Sequence, residues 1–250
     1  MRYERLGTII DILEEVQSIN LDALCEKVSV SKNTIRRDIA QLEKEGKIKK
    51  FYGGIRLATS NEPTPFTERE QSNLEQKKAI SKNAASLVKS GDVIFIDAGT
   101  TTMHMVPHLI GKSNITIVTA SLNVMLEATK YNLSLIGTGG SLYGPSNCFV
   151  GRTVLDALSQ YNLSHAFMSS SGICANGAVT NASPLESEIK KFVMQMACPK
   201  SLIIDSSKFG KSALVSYAKL SDFENLITFN RPAGAWSELI DSSGVKCICT

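Results

Sequence analysis

The sequence predicts an α/β protein in two parts: a small, mainly helical N-terminal head and a larger domain on a mostly parallel sheet. Three observations carry that expectation. Residues 1–57 hold three helical stripes followed by two short segments around Gly53-Gly54. From residue 76 to 250, short apolar runs alternate with helical stripes, as strands covered on both faces by helices require. Between them, residues 58–75 open with a polar stretch holding Pro63 and Pro65, which excludes a helix there and reads as a linker.

A chain of 250 residues has room for a small domain beside a larger one, and its 43% hydrophobic and 20% charged content places it with soluble globular proteins. No apolar run approaches the roughly 20 residues of a membrane helix. Met1-Arg2-Tyr3-Glu4-Arg5 lacks a signal-peptide core. A cytoplasmic protein with no membrane partner is expected, so the sequons at Asn114, Asn132 and Asn162 are chance matches. The cysteines at 25, 148, 174, 198, 247 and 249 are scattered. Only Cys247 and Cys249 are close, and no second pair or histidine cluster completes a zinc set. Free thiols, no metal and no cofactor are expected.

The net charge of +3 hides a local imbalance. Met1 to Glu26 holds two Lys/Arg against six Asp/Glu, whereas Lys27 to Arg56 holds nine against three. A basic block confined to some thirty residues is the footprint of a nucleic-acid-binding face.

In order along the head, Arg5 to Val16 carries Leu6, Ile9, Ile10, Leu13 and Val16, one helical stripe. Ser18 or Asn20 starts a short second helix with Leu21, Leu24 and Val28 inward. Ser29-Val30 turns into a third helix capped by Ser31, with Ile35, Ile39 and Leu42 on one stripe and Gly46 as its stop. Lys32, Asn33, Arg36 and Arg37 project from its N-terminal half. Two short helices joined by a tight turn make a helix-turn-helix unit. Lys47 to Tyr52 and Ile55 to Leu57 around Gly53-Gly54 make a hairpin, a wing whose Lys47, Lys49, Lys50 and Arg56 can reach phosphates.

Tyr3-Glu4-Arg5, Ile9-Ile10, Ser31-Lys32-Asn33-Thr34-Ile35-Arg36-Arg37-Asp38-Ile39, Leu42-Glu43, Gly46 and Gly53-Gly54 together resemble the DNA-binding domain of the DeoR family of bacterial transcription regulators. The resemblance implies that the third helix lies in the major groove of double-stranded operator DNA. Lys32, Asn33 and Arg36 or Arg37 then offer donors to base edges, while Ser31, Thr34 and the wing lysines position the module on phosphates. Asp38 is expected to orient one of the two arginines. In the joint, Phe66, Glu68 and Arg69 resemble the family's interdomain segment, with Arg69 either an interdomain contact or a solvated residue.

In the larger domain, Lys77 to Lys89 is a helical stripe, and Gly91-Asp92 turns into the run Val93 to Ile96. Further strands are expected at 115–118, 133–136, 166–168, 202–204, 226–229 and 246–248, with helices at 121–130, 153–159, 184–197 and 234–240. Small, hydroxylic or Gly-rich loops follow five of these strands: Asp97 to Thr102, Thr119 to Ser121, Gly137 to Ser141, Ser169 to Gly172 and Asp205 to Lys208. In open α/β sheets the ligand site forms where such loops converge. Gly99, Thr100, Thr101 and Thr102, opening a helix, suit a phosphate. His104 and His108 have a metal-like spacing, but Pro107 intervenes and no acidic third ligand is evident. Gly137-Thr138-Gly139-Gly140 lacks the spacing of a dinucleotide fingerprint.

Asp97 to Thr102, Val118-Thr119, Gly139-Gly140, Val150-Gly151, Gly172 with Gly177, Glu186 to Lys190 and Asp205 to Gly210 resemble the same family's sensor domain, related in fold to ribose-5-phosphate isomerase. The resemblance implies a phosphorylated sugar effector. Gly99 to Thr102 would take its phosphate, and Asp97, Glu186 and Lys208 would line the polar end, with Thr119, Ser121, Gly139, Gly140 and Gly172 completing the site. The chain departs from the family's pattern at Ala120-Ser121, where an asparagine is common, at Leu142-Tyr143, where an arginine is common, and at His165, where an aspartate is common. A missing arginine leaves less positive charge. Either the effector differs from those of well-known members, or its phosphate is held by the threonine loop alone.

The reading is a ligand-responsive transcription regulator: a repressor of a carbohydrate-catabolism operon, nucleoid-associated when on its operator and at least a homodimer. The alternative is a sugar-phosphate isomerase with an appended DNA-binding head, in which Asp97, Glu186, Asp205 and Lys208 move protons.

Overall fold

A computed structural model describes residues 2–16, 18–51, 54–57 and 65–250. The chain divides into two compact units, Met1–Glu62 and Pro63–Thr250.

The first unit begins with α1 (Arg2–Val16), whose Leu6, Ile9 and Leu13 are buried as their spacing requires. A short strand, β1 (Ser18–Asn20), follows, and then α2 (Leu21–Val28). Asn20 rather than Ser18 caps α2, its side chain accepting from the Ala23 N–H at 2.8 Å. Ser29 adopts a left-handed turn at φ 55° and leads into α3 (Lys32–Lys44). Ser31 caps α3 by accepting from the Thr34 N–H at 3.4 Å. Gly46 takes φ 69° just beyond the helix, the conformation that ends it. The wing is the antiparallel pair β2 (Ile48–Phe51) and β3 (Gly54–Leu57), and β1 adds a third strand beside β3. Of the Gly53-Gly54 pair expected at its turn, Gly54 opens β3 and Gly53 lies outside the described residues.

One expectation fails here. Asp38 does not turn to Arg36 or Arg37. Its position between Ile35 and Ile39 puts it on the buried stripe, where it is 1% exposed. There it accepts from Arg5 of α1, with Nε to Oδ2 at 2.5 Å and Nη2 to Oδ1 at 3.2 Å. A carboxylate taken out of water needs such a partner, and the bidentate fork supplies it.

The second unit starts with α4 (Phe66–Gln71) and α5 (Leu74–Ser86). The irregular joint expected over 58–75 therefore does not extend past Pro65, because Phe66 is drawn into the core and the chain is helical from there. Ala58 to Thr64 of that joint lie outside the described residues. Then come β4 (Val93–Ile96), a 3-10 helix over Thr102–Leu109, β5 (Thr116–Thr119), α6 (Leu122–Thr129) and β6 (Ser134–Gly137). A hairpin of β7 (Ser141–Tyr143) and β8 (Cys148–Val150) precedes α7 (Arg152–Leu158) and β9 (His165–Met168). β10 (Gly172–Ile173), β11 (Ala178–Asn181) and α8 (Pro184–Gln195) lead to β12 (Lys200–Ile203). β13 (Val215–Lys219), β14 (Asn225–Thr228), α9 (Ala235–Ser243) and β15 (Lys246–Cys249) complete the chain.

All seven apolar runs read as strands enter one parallel sheet, ordered β15-β14-β12-β9-β4-β5-β6. Alternate residues serve its two faces. Phe95, Val118, Met168 and Leu202 meet α7, α8 and α9 on one side. Ile94, Ile96, Ile117, Phe167 and Ile203 meet α5, the 3-10 helix and α6 on the other. The sequence gives no hint of a second, antiparallel sheet, β10-β11-β13. Pro107 sits inside the 3-10 helix that follows the Gly99 to Thr102 loop.

From β4 the chain winds one way through β5 and β6, then returns to the other side of β4 at β9. That reversal opens a crevice at the carboxyl ends of β4 and β9.

The Arg5–Asp38 pair is the charged tie between α1 and α3. Asp38→Ala is expected to lower the unfolding midpoint of the first unit in a denaturant titration and leave the second unit's transition in place. An unchanged first transition would show that the tie contributes nothing.

Candidate functional site

On the first unit, the side of α3 opposite Ile35 and Ile39 presents Lys32, Asn33, Arg36 and Arg37, all exposed, with Thr34 partly so. Ser31 and Thr34 hydroxyls meet at 3.1 Å over the helix start. Lys47, Lys49 and Lys50 are exposed on and before the wing, and Lys49 stands opposite Arg56 across the hairpin. Three of these lysines are paired to nearby carboxylates: Lys32 to Asp22 at 2.5 Å, Lys47 to Glu45 at 2.9 Å and Lys50 to Glu43 at 2.5 Å. Such exposed pairs are weak, so a phosphate can replace the carboxylate at little cost. Arg36, Arg37 and Lys49 have no ion pair among the described residues.

In the second unit, the loops after β4 and β9 meet at the switch point. A Cβ on Gly99 would stand 2.3 Å from the Ser169 hydroxyl, so only glycine allows this approach. Asp97 Oδ2 accepts from the Ser169 N–H at 2.9 Å and from its hydroxyl at 2.5 Å, and it is paired with the Lys190 ammonium. Lys190 is 2% exposed and also donates to the Ser169 carbonyl at 3.0 Å. The Tyr217 hydroxyl donates to that same carbonyl at 2.8 Å, and the Lys190 ammonium lies 5.4 Å from its ring centre. Burial, then the nearby Asp97 charge, pushes the Tyr217 phenol well above its usual value, so it stays a donor. One buried cation thus joins β4, β9, α8 and the antiparallel sheet.

The hydroxyls read from sequence divide into two groups. Thr102 Oγ1 donates to the Asp97 carbonyl at 2.7 Å and accepts from the Gly99 N–H at 3.1 Å. Thr119 donates to the Ile96 carbonyl at 2.6 Å and accepts from the Ser121 N–H. Ser121 caps α6 by accepting from the Val124 N–H. These three are committed within the fold. The Thr100 and Thr101 hydroxyls have no partner among the described residues, and the Ser170 hydroxyl, 9% exposed, is buried without one. Gly139 and Gly140 turn the chain after β6 at φ 65° and 112°. Gly172 lies against the Lys211 carbonyl, which a Cβ would meet at 2.2 Å.

Cations gather round the crevice. Burial lowers the pKa of Arg69, opposed by the charges of Glu186 and Asp97, which places the guanidinium near both carboxylates. Lys77, also buried, donates to the Arg69 carbonyl, and burial brings its pKa down to about 8. Burial likewise lowers Lys208, with Asp205 opposing. Burial raises the Asp205 carboxyl, but the Ser207 hydrogen bond and the Lys208 charge outweigh it and hold the group below its usual value. Glu186 sits in the first turn of α8, which Ser183 caps by accepting from the Glu186 N–H at 3.3 Å.

Sequence reasoning omits Lys190, Lys77 and Tyr217 from the site, includes Ser169 and Ser170 only as part of a loop, and leaves Arg69 undecided. Two of these carry a visible signal. Lys190 falls on the stripe Glu186, Ile189, Lys190, Val193, and Lys77 on the stripe Lys77, Ile80, Ser81, Ala84. A charge at a core position of an amphipathic helix needs a buried partner. Leu142-Tyr143, standing for the family's arginine, lie in β7 with Leu142 exposed. His165 stacks on Phe167 and meets the Ser201 hydroxyl at 2.8 Å. His104 and His108 join no group of three metal-type ligands among the described residues.

Residues 5–61 match the DeoR-like helix-turn-helix domain, and residues 72–229 match the DeoR C terminal sensor domain. The chain belongs to the DeoR family. It is a transcription regulator with a DNA-binding head and a sensor domain. Among its relatives, the HTH-type transcriptional regulator IolR of Bacillus subtilis is 35% identical over 229 residues, 91% of each chain. The glycerol-3-phosphate regulon repressor of Escherichia coli is 30% identical over 226 residues, 90% of each. The lactose phosphotransferase system repressor of Staphylococcus epidermidis is 30% identical over 92% of each. Among solved structures, ribose 5-phosphate isomerase A from Methanocaldococcus jannaschii aligns over 55% of each chain at 18% identity and a TM-score of 0.42. Among the described residues, no helix is long and apolar enough to cross a membrane.

Lys190→Met would leave the Asp97 carboxylate buried without its cation. The variant is expected to lose about 3–5 kcal/mol of stability in denaturant unfolding, as breaking a buried pair does. The doubly changed chain with Asp97→Asn, which buries no charge there, should recover part of that loss. A wild-type midpoint for Lys190→Met would show that the pair does not hold the site together.

Proposed function

We propose that this DeoR-family regulator represses a carbohydrate-catabolism operon and that a phosphorylated sugar, bound at the carboxyl ends of β4 and β9, modulates its hold on operator DNA. The observation that carries this reading is the cation cluster of Arg69, Lys77, Lys190 and Lys208 around a crevice lined by unpartnered hydroxyls. Lys77 is buried at a cost, and an anion beside it would stabilise its ammonium. Thr100 to Thr102 contribute backbone N–H groups at the start of the 3-10 helix, with the Thr100 and Thr101 hydroxyls facing the phosphate, while Gly99, whose N–H is taken by Thr102, lets the loop approach Ser169. Arg69 and Lys77 supply the charge that the family's arginine would otherwise bring. Glu186 accepts from sugar hydroxyls, and Lys208 balances it. Thr102, Thr119, Ser121, Gly139, Gly140 and Gly172 shape the crevice rather than bind. Asp97 is held by three protein donors, which suits a fixed wall of a binding site better than a mobile catalytic base.

On DNA, Arg36 and Arg37 reach base edges together with Lys32 and Asn33. Ser31, Thr34, Lys47, Lys49 and Lys50 sit on phosphates. Reading two half-sites requires at least a homodimer. The effector acts by linkage: it binds more tightly to the arrangement of the oligomer that holds operator less well. The names of two relatives, repressors of glycerol-3-phosphate and lactose phosphotransferase genes, support a phosphorylated carbohydrate as the signal.

Arg36→Ala and Arg37→Ala are expected to weaken specific operator binding by about 1–3 kcal/mol each, measured by mobility shift at fixed salt. Unchanged affinity and footprint in both would remove α3 from the groove. Thr101→Val should keep operator affinity while weakening the sugar phosphate seen by calorimetry. Full effector affinity in that variant would refute the phosphate loop.

A further inference from the structure

Cys247 and Cys249 end the strand β15. Two residues apart, they share one face of the sheet. Their sulfurs lie 3.6 Å apart. Both are free thiols, Cys247 partly buried and Cys249 exposed. β15 is the last strand of its sheet, paired with β14 alone among the described residues, so the pair is reachable from an open edge. Asn83 of α5 donates to the Cys249 carbonyl at 3.2 Å and to the Thr250 hydroxyl at 3.3 Å, which fixes the strand's end.

Two thiolates on one tetrahedral cation, each bonded at about 2.3 Å, stand about 3.8 Å apart. The observed spacing is close to that edge, so little rearrangement is needed to chelate. We propose that Cys247 and Cys249 form a two-thiolate site for a soft divalent cation of the zinc or cadmium kind. No third cysteine, histidine or carboxylate joins the pair among the described residues, so water fills the other positions. Soft sulfur ligands select such d10 ions over magnesium or calcium.

The chemistry balances without electron transfer. Two S–H bonds break, two metal–sulfur bonds form, and two protons leave for solvent while sulfur stays reduced. Burial, then the hydrogen bond with Cys249, raises the Cys247 thiol to about 11, with the nearby Arg231 charge opposing. This site is separate from the sugar-phosphate crevice, and its test does not depend on that reading.

The test uses the full-length reduced chain and cadmium ion alone. Binding is followed by thiolate-to-cadmium ultraviolet absorption, and the protected thiols are mapped by alkylation and mass spectrometry. One equivalent is expected to protect Cys247 and Cys249 and to leave Cys25, Cys174 and Cys198 open to alkylation. Cys247→Ser and Cys249→Ser should each weaken binding about tenfold or more, while Cys174→Ser does not. Protection spread evenly over all cysteines, or wild-type affinity in the doubly substituted chain, would overturn the proposal. The protection map of the wild-type chain decides the matter even if a serine variant fails to fold.

Discussion

The second unit depends on one buried ammonium. Lys190 reaches from α8 to the loop ends of β4 and β9, where Asp97 and the Ser169 carbonyl accept its hydrogen bonds and the Tyr217 ring of the antiparallel sheet lies beside it. A lysine this far from water is costly unless every donor is used. Its cost is what makes the arrangement specific. Any shift that separates β4 from β9 leaves a charge unpaired, so the crevice between the two strands holds one shape. Gly99 enforces the same approach sterically, since any larger residue would strike Ser169. The pair and the glycine are two constraints on one distance.

The same device recurs. Asp38 on α3, Lys77 on α5 and Lys190 on α8 each occupy a position that helical spacing assigns to the apolar stripe. Asp38 meets Arg5, Lys77 meets the Arg69 carbonyl, and Lys190 meets Asp97. In each case the charge ties its helix to an element distant in sequence or to the end of a neighbouring helix. Apolar packing would hold these helices too, but it tolerates sliding. A hydrogen-bonded charge does not. The periodicity of the sequence shows that something unusual stands at each position, but it does not show the partner, because partners such as Arg5 and Asp97 lie far along the chain. That is why Asp38 looks from sequence like a support for its neighbours Arg36 and Arg37.

What is legible in the sequence follows from local pattern. The five inner strands of the parallel sheet are covered on both faces, so each is a nearly continuous apolar run, while the edge strands β6 and β15 are only partly buried. Their helices carry stripes, and in the head the cap Ser31 stands where its chemistry requires. The antiparallel sheet is not legible. Gly172–Ile173 is two residues long, and Val215–Lys219 alternates buried and exposed positions with a lysine at its end. Neither exceeds the background of turn-like sequence; β13 is a strand through its pairing with β11, and Gly172 lets β10 pass close to the Lys211 backbone. The site is half legible for the same reason. Loops rich in Gly, Ser and Thr mark the carboxyl ends of strands, but the cations arrive from α4, α5 and α8, whose contributions depend on the fold.

Hydroxyl-rich loops also mislead in a definite way. Such a loop must satisfy its own backbone, and short hydroxyl side chains do that work first. Thr102, Thr119 and Ser121 each bond the backbone within their own loops or the strand end beside them, so part of their hydrogen-bonding capacity is spent inside the fold. Thr100, Thr101 and Ser170 remain, and they flank the strand pair that Lys190 clamps. A ligand site here is therefore what is left after the fold has taken its share of polar groups. The surplus of hydroxyls next to a surplus of cations is the property that a phosphorylated polyol would complement, because its phosphate needs the charge and its hydroxyls need the remaining carboxylate of Glu186.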